Sequence, residues 1–239
     1  MAAHSTNELL ASLSDADFGA LRPHLEAADL PQGMVLFEGG DTIDRVYFPN
    51  IGIVSLVVGL ASGEMIESGM VGRDSLVGAS SALDGKIALN TAIVQIAGSA
   101  SVLGIEHLRA LADISVPFRT MLIRHEQLIL VQAQQSAACN ASHTLEARLS
   151  RWLLRSRDLM GGNDLQLTQE FLGQMLGVQR SSVSIIASTL QEAGLIRYRR
   201  GHIRILDAAA LQDAACECYA AVKASSDRLL GQAYAKVGA

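Results

Sequence analysis

The sequence predicts an α+β chain with a β-rich N-terminal domain, one long helix and a C-terminal winged helix-turn-helix domain. Three observations lead to this fold class. Short runs rich in Val, Ile and Leu alternate with turn signals between residues 30 and 105. Apolar residues follow helical spacing after Pro117. The segment 165–206 then has the order helix, Gly, helix, Gly, hairpin. We place the domains at 1–115, 116–139 and 140–239.

The composition favours a globular protein outside the membrane. Of its 239 residues, 49% are hydrophobic and 18% are charged, which argues against intrinsic disorder. The stretches 46–63 and 87–105 carry no charge, but Gly, Asn or Ser interrupts both, so they predict buried strands rather than membrane spans. Because the N-terminus lacks the pattern of a signal peptide, we expect a cytoplasmic protein with no membrane partner.

The net charge of −5 hides a basic segment within an acidic chain. Residues 140–206 contain nine Arg and five acidic residues, whereas the rest of the chain contains 10 basic and 19 acidic residues. A local excess of Arg is the electrostatic pattern of a DNA-binding module.

The β-rich segment predicts a small barrel or jelly roll, preceded by a helical lead-in at residues 5–28. No helical pattern separates its short runs, so the strands are expected to pair within one antiparallel sheet structure. The predicted strands cover residues 34–37, 46–48, 53–58, 65–70, 92–96 and 101–105.

The long helix has a coiled-coil spacing, which predicts a homodimer. Its apolar residues recur at alternating steps of three and four over about three heptads, the shortest length that supports this interpretation. The alternative is a helix that packs on its own domain. A break is expected at 140–142. The predicted dimer seam consists of Phe118, Met121, Leu122, His125, Leu128, Ile129 and Gln132.

The helix-turn-helix motif lies at 167–194. Thr168 is a suitable N-cap, and Gly177 lies where the first helix must end and the chain must turn. The second helix presents small polar side chains suited to the major groove, and an Arg-rich hairpin tip follows as a wing. The alternative is a helical hairpin in an enzyme domain. The candidate DNA-binding residues are Thr168, Gln169, Gln179, Arg180, Ser181, Ser182, Ser184, Ser188, Arg199, Arg200 and His202.

With these motifs the sequence resembles the Crp/Fnr superfamily of bacterial regulators over nearly its whole length. The resemblance implies a cyclic-nucleotide-binding-type β-roll (a jelly roll), a dimerisation helix and a two-fold symmetric DNA site. Arg180 matches a family residue suited to a guanine edge. The expected partners are double-stranded DNA, a second copy of the chain and RNA polymerase. Our hypothesis for the mechanism is that a signal at the β-roll shifts how the long helices pair near Asn140 and so changes the spacing of the two recognition helices.

The resemblance places an effector pocket at Gly78, Ala79, Asn90 and Thr91. Family members that bind cyclic AMP have a Glu and an Arg where this chain has Ala79 and Asn90. A cyclic phosphate would therefore lack its main charge-assisted partner, and we expect neither cyclic AMP nor another cofactor. No cysteine precedes Cys139, so the iron–sulfur cluster of the oxygen-sensing members is not expected. The identity of any small-molecule effector is left open.

The rest of the sequence contains few residues or motifs that indicate catalysis, metal binding or redox activity. The motifs GxSxG, HExxH, GxGxxG and the P-loop are absent from the sequence, so we expect no enzyme. Cys139 and His143 are four residues apart, but two ligands do not make a metal site, and we expect them to pack without a metal. Cys216 and Cys218 cannot share one helical face, and a redox role for them is left open. An adaptor with a degenerate DNA module is the alternative function.

Overall fold

The computed structural model describes residues 6–84 and 86–234, which form a β-roll, a long helix and a winged helix-turn-helix domain. Its helices are α1 (Glu8–Ala11), α2 (Asp15–Leu21), α3 (Ile105–Ile114), α4 (Val116–Ser142), α5 (Leu145–Met160), α6 (Gln169–Leu176), α7 (Arg180–Glu192), α8 (Ala208–Ala214) and α9 (Cys218–Tyr234). Its strands are β1 (Glu26–Leu30), β2 (Val35–Phe37), β3 (Arg45–Gly59), β4 (Met65–Val71), β5 (Thr91–Gly104), β6 (Asp164–Gln166), β7 (Ile196–Arg199) and β8 (His202–Ile205). The predicted fold class is confirmed.

The β-roll is an antiparallel sheet in the order β1-β5-β3-β4, with β2 also paired to β5. The predicted strands 46–48 and 53–58 merge into the long strand β3, and 92–96 and 101–105 merge into β5, so the breaks expected within these two pairs are absent. The register between these two strands shifts around Ile51 instead. Gly98 permits the backbones of β3 and β5 to approach closely at this point, because a Cβ at position 98 would lie 2.0 Å from the carbonyl oxygen of Ile51.

Helix α4 extends to Ser142, three residues beyond the predicted end at 139, and the chain turns at His143 and Thr144. Ser115 caps its start by accepting a hydrogen bond from the backbone N–H of Phe118 at 3.3 Å. Within the described residues, no helix is long and apolar enough to cross a membrane.

The structure corrects the predicted dimer seam. Six of its seven residues are buried within their own chain, namely Phe118, Met121, Leu122, His125, Leu128 and Gln132. The seventh, Ile129, packs against the core of the β-roll. The Gln132 side chain accepts a hydrogen bond from the backbone N–H of Met70 at 3.1 Å, and His125 hydrogen-bonds with Ser75. The β-roll and α9 therefore occupy this stripe, and a partner cannot reach it. Helical spacing marks a buried stripe without indicating what buries it.

The core of the C-terminal domain continues into the β-roll without a gap. Trp152 and Leu153 of α5 belong to the same buried cluster as Ile53 and Met70 of the roll. Leu159 packs so closely on the roll that a Cβ at Gly72 would lie 2.9 Å from it. The winged domain is thus seated directly on strands β3 and β4 of its own chain.

Candidate nucleic-acid interface

The helix-turn-helix is built from α6 and α7, as the sequence predicts. The Thr168 hydroxyl accepts a hydrogen bond from the Phe171 backbone N–H at 3.3 Å and caps α6. Gly177 ends that helix with a φ of 63°, which is the left-handed conformation that glycine adopts without strain. Both predicted helix signals are confirmed.

Buried apolar residues fix the orientation of the second helix. Val183, Ala187 and Leu190 of α7 are at most 3% exposed and belong to the domain core. Their spacing of three and four residues places them on one side of the helix. The opposite side is consequently turned outward, and its polar residues are held at the surface of the domain.

The outward side of α7 contains most of the candidates that the sequence suggests. Gln179, Arg180, Ser181 and Ser188 are exposed, whereas Ser182 and Ser184 are half-buried. The Ser184 hydroxyl donates to the Gln169 side-chain oxygen at 2.7 Å. Ser184 and Gln169 therefore tie the two helices together, and the Gln169 side-chain amide keeps both of its N–H donors for another partner.

Arg180 occupies the first position of α7. Its side chain is exposed, and no salt bridge of this residue occurs among residues 6–84 and 86–234. Gln179, the N-cap, provides no side-chain hydrogen bond to the helix. Among the described residues, the backbone N–H groups of Arg180 and Ser181 have no partner, whereas that of Ser182 donates to the Gln179 carbonyl oxygen at 3.0 Å. A guanidinium beside open N–H groups at a helix N-terminus is suited to a base edge and its adjacent phosphate.

Ile185 is a surface residue that the sequence-based candidates omit. It lies on α7 one turn after Ser181, and 66% of its surface is exposed. An exposed branched apolar side chain on a helix that enters the major groove is suited to a thymine methyl group. Its exposure could be inferred from the helical spacing, because Val183 and Ala187 take the buried side.

The predicted wing is the hairpin of β7 and β8. Arg200 and Gly201 both have positive φ angles, 47° and 80°, as a tight two-residue hairpin turn requires. Arg199, Arg200 and His202 are exposed at its tip. At the base of the wing, the carboxylate of Asp164 accepts two hydrogen bonds from Arg204, at 2.7 and 2.8 Å.

Polar contacts connect this domain to the β-roll. The Trp152 indole donates to the Glu67 carboxylate at 2.9 Å, and the Ser55 hydroxyl donates to its other oxygen. Burial raises the pKa of Glu67 to about 7, although the hydroxyl of Ser55 and the charge of Arg151 oppose the shift. Glu67 also lines a cavity of about 300 Å³ between the roll, α4, α5 and α9.

Two of the four residues of the predicted effector pocket lie at a short 3-10 helix, and the other two lie at the start of β5. Ala79 is 1% exposed and begins a short 3-10 helix after Gly78, so its methyl group faces the protein interior. Thr91 accepts a hydrogen bond from the backbone N–H of Gly39 at 3.2 Å, and Asn90 is half-buried. Of the four cavities described in residues 6–84 and 86–234, none is lined by these four residues.

One face of α4 is open to solvent along most of its length. Val116, Ile123 and Leu130 are 67%, 45% and 58% exposed, and Ala137 is exposed too. These four residues recur every seven positions. A second exposed row at the same spacing contains Thr120, Gln127, Gln134 and Ala141. The open face therefore has the heptad pattern of a helix pair.

One protein-family model matches the C-terminal part of the chain. Residues 147–214 match the family model described as the Crp-like helix-turn-helix domain. This segment contains α5, the helix-turn-helix and the wing. No curated protein sequence matches the chain.

Solved structures share the architecture of nearly the whole chain. The FixK2 protein of Bradyrhizobium japonicum has a TM-score of 0.70 at 18% identity, covering 80% of this chain and 98% of that one. A CRP-family transcriptional regulator of Thermus thermophilus has a TM-score of 0.66 at 22% identity, covering 79% and 96%. The c-di-GMP-responsive global regulator of Xanthomonas campestris has a TM-score of 0.62 at 18% identity, covering 81% and 100%. At these identities the likeness shows the fold alone, and this is the fold that the resemblance in the sequence implies.

Proposed function

We propose that this chain, which carries a Crp-like helix-turn-helix domain within the fold of the Crp/Fnr regulators, is a sequence-specific transcription regulator that binds DNA as a homodimer. The observation that carries the proposal is the exposed N-terminal end of α7, where Arg180 lies beside open backbone N–H groups. This end and the basic wing tip are parts of one small domain.

Base recognition is assigned to α7 and phosphate binding to the wing. Arg180 has the donor geometry for the O6 and N7 atoms of guanine, and Ile185 provides an apolar contact for a thymine methyl. Arg199 and Arg200 at the wing tip provide charge for phosphates, which adds affinity that decreases with salt but little sequence preference. The site therefore combines base-specific contacts from α7 with sequence-independent electrostatic contacts from the wing.

The homodimer is proposed to form through the open face of α4. Val116, Ile123, Leu130 and Ala137 would meet their counterparts in a parallel helix pair, since their seven-residue repeat extends along almost the whole helix. This face replaces the seam that the sequence suggested. A two-fold axis along the helix pair would present two copies of α7 to half-sites about one helical turn apart, which makes the DNA site two-fold symmetric.

Signal control is proposed to act where α4 meets the winged domain. The helix ends at Ser142, and α5 begins at Leu145, so only the short turn at His143 and Thr144 joins them. A change in how two α4 helices pair would reach the recognition helices through this turn.

The effector is not identified. Cyclic AMP is not part of the proposal, because Ala79 is buried and Asn90 replaces an arginine. RNA polymerase is included as a partner, as expected for a regulator of this family.

The first test is selection of genomic fragments by the purified protein at fixed, near-physiological salt, because affinity depends on salt. We expect a short palindrome. Arg180→Ala should weaken binding by about 1–3 kcal/mol and relax selectivity at one base pair in each half-site. Arg22→Ala, at an exposed arginine in the N-terminal domain, is the matched control and should bind as the parent protein does. Unchanged selectivity in Arg180→Ala would contradict the assigned role, and binding with no base preference would favour an adaptor with a degenerate DNA module.

The second test concerns the dimer. Replacing Ile123 and Leu130 with Glu should convert the protein to a monomer in sedimentation equilibrium, because four carboxylates would then face each other across the helix pair. Leu60→Glu is the matched control, since Leu60 is also exposed, at 44%, but lies on the β-roll. A double variant that remains dimeric would show that α4 does not pair through this face.

A further inference from the structure

Four metal-binding side chains converge where α4, α8 and α9 meet. Cys139 and His143 come from the end of α4, Cys216 comes from the segment that joins α8 to α9, and Cys218 is the first residue of α9. The ligand atoms of all four lie within 4.8 Å of one another. The three thiols are buried, and the His143 side chain is 23% exposed. Sequence spacing did not predict this cluster, because its two pairs are more than 70 residues apart.

The distances match the edges of a small tetrahedron. Zinc–sulfur bonds of about 2.3 Å place two sulfur ligands about 3.8 Å apart, and a sulfur and a nitrogen ligand roughly 3.6 Å apart. The Sγ atoms of Cys139 and Cys216 are 3.5 Å apart, and the Sγ of Cys218 is 3.5 Å from Nδ1 of His143. The remaining pairs lie within 4.8 Å, so movements of about one ångström or less would complete the geometry.

A second layer of contacts orients the ligands. Nε2 of His143 lies 3.2 Å from the carboxylate of Glu217, which leaves Nδ1 directed at the thiols. A histidine that ligates a metal usually donates its other ring N–H to a carboxylate in this way. The Gln135 amide donates to the sulfur of Cys218 at 3.0 Å. This arrangement fixes both the ring orientation and the tautomer that a metal requires.

Burial raises the pKa of the Cys139 and Cys216 thiols, whereas the charge of Arg151 opposes the shift at Cys139. Arg148 and Arg151 of α5 lie close enough to interact electrostatically with the cysteines. Cys218 is the first residue of α9, a helix of 17 residues. Three thiolates with one divalent cation carry a net charge of −1, which the two guanidinium groups offset.

We propose that Cys139, His143, Cys216 and Cys218 bind one Zn²⁺ ion in a structural, four-coordinate site. A closed set of three cysteines and one histidine is a common structural zinc site, with no position left for a substrate. An iron–sulfur cluster fits less well, because its cysteines bind different iron atoms and are spread more widely than one tetrahedron. On binding, the cation displaces the three thiol protons into solvent.

A zinc ion bound at this site would anchor the first turn of α9 at the turn between α4 and the winged domain. His143 is the residue at which α4 ends, and α9 runs back along α4 until Leu230 packs against the cluster that contains Phe118. Zinc would thus hold together the hinge residue and the start of the helix that covers the inner stripe of α4. Loss of the metal is expected to release the first turn of α9.

The proposal is tested on the full-length protein with Co²⁺ and Zn²⁺ as probes. Chelator-treated, reduced protein should bind one equivalent of Co²⁺ with the intense visible absorption of a tetrahedral ion and thiolate-to-cobalt charge transfer, and Zn²⁺ should displace it. Protein purified without chelator should contain about one zinc per chain by elemental analysis. Co²⁺ binding without charge transfer, or no binding by reduced protein, would overturn the proposal. An aerobic Cys139–Cys216 disulfide that persists in excess zinc would also overturn it and would indicate a redox pair.

Two substitutions separate metal binding from folding. Cys216→Ser should abolish stoichiometric zinc retention. Glu217→Gln keeps all four ligands, and it should weaken zinc affinity by about 10- to 100-fold because the histidine loses its carboxylate partner. Glu126→Gln is the matched control, since Glu126 contacts His125 outside the cluster at 3.3 Å. Equal zinc affinity in Glu217→Gln and Glu126→Gln would contradict the role of the second layer, and full zinc retention by Cys216→Ser would refute the site.

Discussion

Glu67 provides a quantitative test of how the winged domain is seated on the β-roll. Its carboxylate accepts hydrogen bonds from Trp152 of α5 and Ser55 of β3, and burial raises its pKa from 4.5 to about 7. The substitution Glu67→Gln removes the ionisation. It keeps an oxygen that can accept the indole hydrogen bond and an amide that can donate to Ser55.

The sign of the effect follows from the two pKa values. Because the pKa is higher in the folded protein, the folded state holds the proton more tightly than the unfolded state between pH 4.5 and about 7. The contribution of Glu67 to the free energy of unfolding is therefore most favourable below pH 4.5, decreases as pH rises to about 7, and is constant above that value. The full decrease is roughly 3 kcal/mol, since each pKa unit corresponds to about 1.4 kcal/mol.

The variant should consequently become more stable than the parent protein as pH rises. We expect similar free energies of unfolding near pH 4.5 and an advantage for Glu67→Gln that grows to roughly 3 kcal/mol at pH 8. Urea unfolding of both proteins at one protein concentration, from pH 5 to 8, measures this difference, with the concentration fixed because association adds to stability.

The control for this experiment is Glu64→Gln, an exposed carboxylate on the same hairpin. Its free-energy difference from the parent is measured from pH 5 to 8 as the reference. If the difference for Glu67→Gln varied with pH no more than this reference does, the carboxylate of Glu67 would be as well solvated in the folded protein as in the unfolded chain. The account of a desolvated contact between β4 and α5 would then be refuted.

Three further predictions concern the winged domain. Arg199→Ala should weaken binding about equally for all DNA sequences and reduce the slope of log affinity against log salt by about 1, as measured by fluorescence anisotropy; an unchanged slope would remove Arg199 from the phosphate contacts. Thr168→Ala should cost about 1 kcal/mol in urea unfolding because α6 loses its cap, whereas Thr168→Ser should restore it; equal stability of the two variants would argue against the cap. Gly177→Ala should cost roughly 1–2 kcal/mol, because φ is 63° and the new methyl would lie 3.3 Å from Ile66; a stable variant would show that the turn relaxes easily.

Features encoded within a few consecutive residues could be predicted from the sequence. The cap at Thr168, the left-handed glycine at Gly177 and the tight turn at Gly201 each depend on local backbone geometry. The exposed face of α7 follows from the spacing of Val183, Ala187 and Leu190. These local signals were sufficient to predict the winged helix-turn-helix and most of the residues that it exposes. Whether those residues contact DNA is a prediction that the binding experiments test.

Features that depend on distant segments could not be predicted. The inner stripe of α4 and its open face are both apolar at helical spacing, and only the packing of α9 and the β-roll on Leu122 and its neighbours decides which stripe remains for a partner. The cysteine cluster is a second example, because Cys139 and Cys216 are brought to 3.5 Å by the return of α9 along α4. The helices, turns and wing depend on local geometry, and consecutive residues encode that geometry. Which faces stay accessible and which ligands meet depends on the packing of distant segments, because burial and coordination are properties of several chain segments at once.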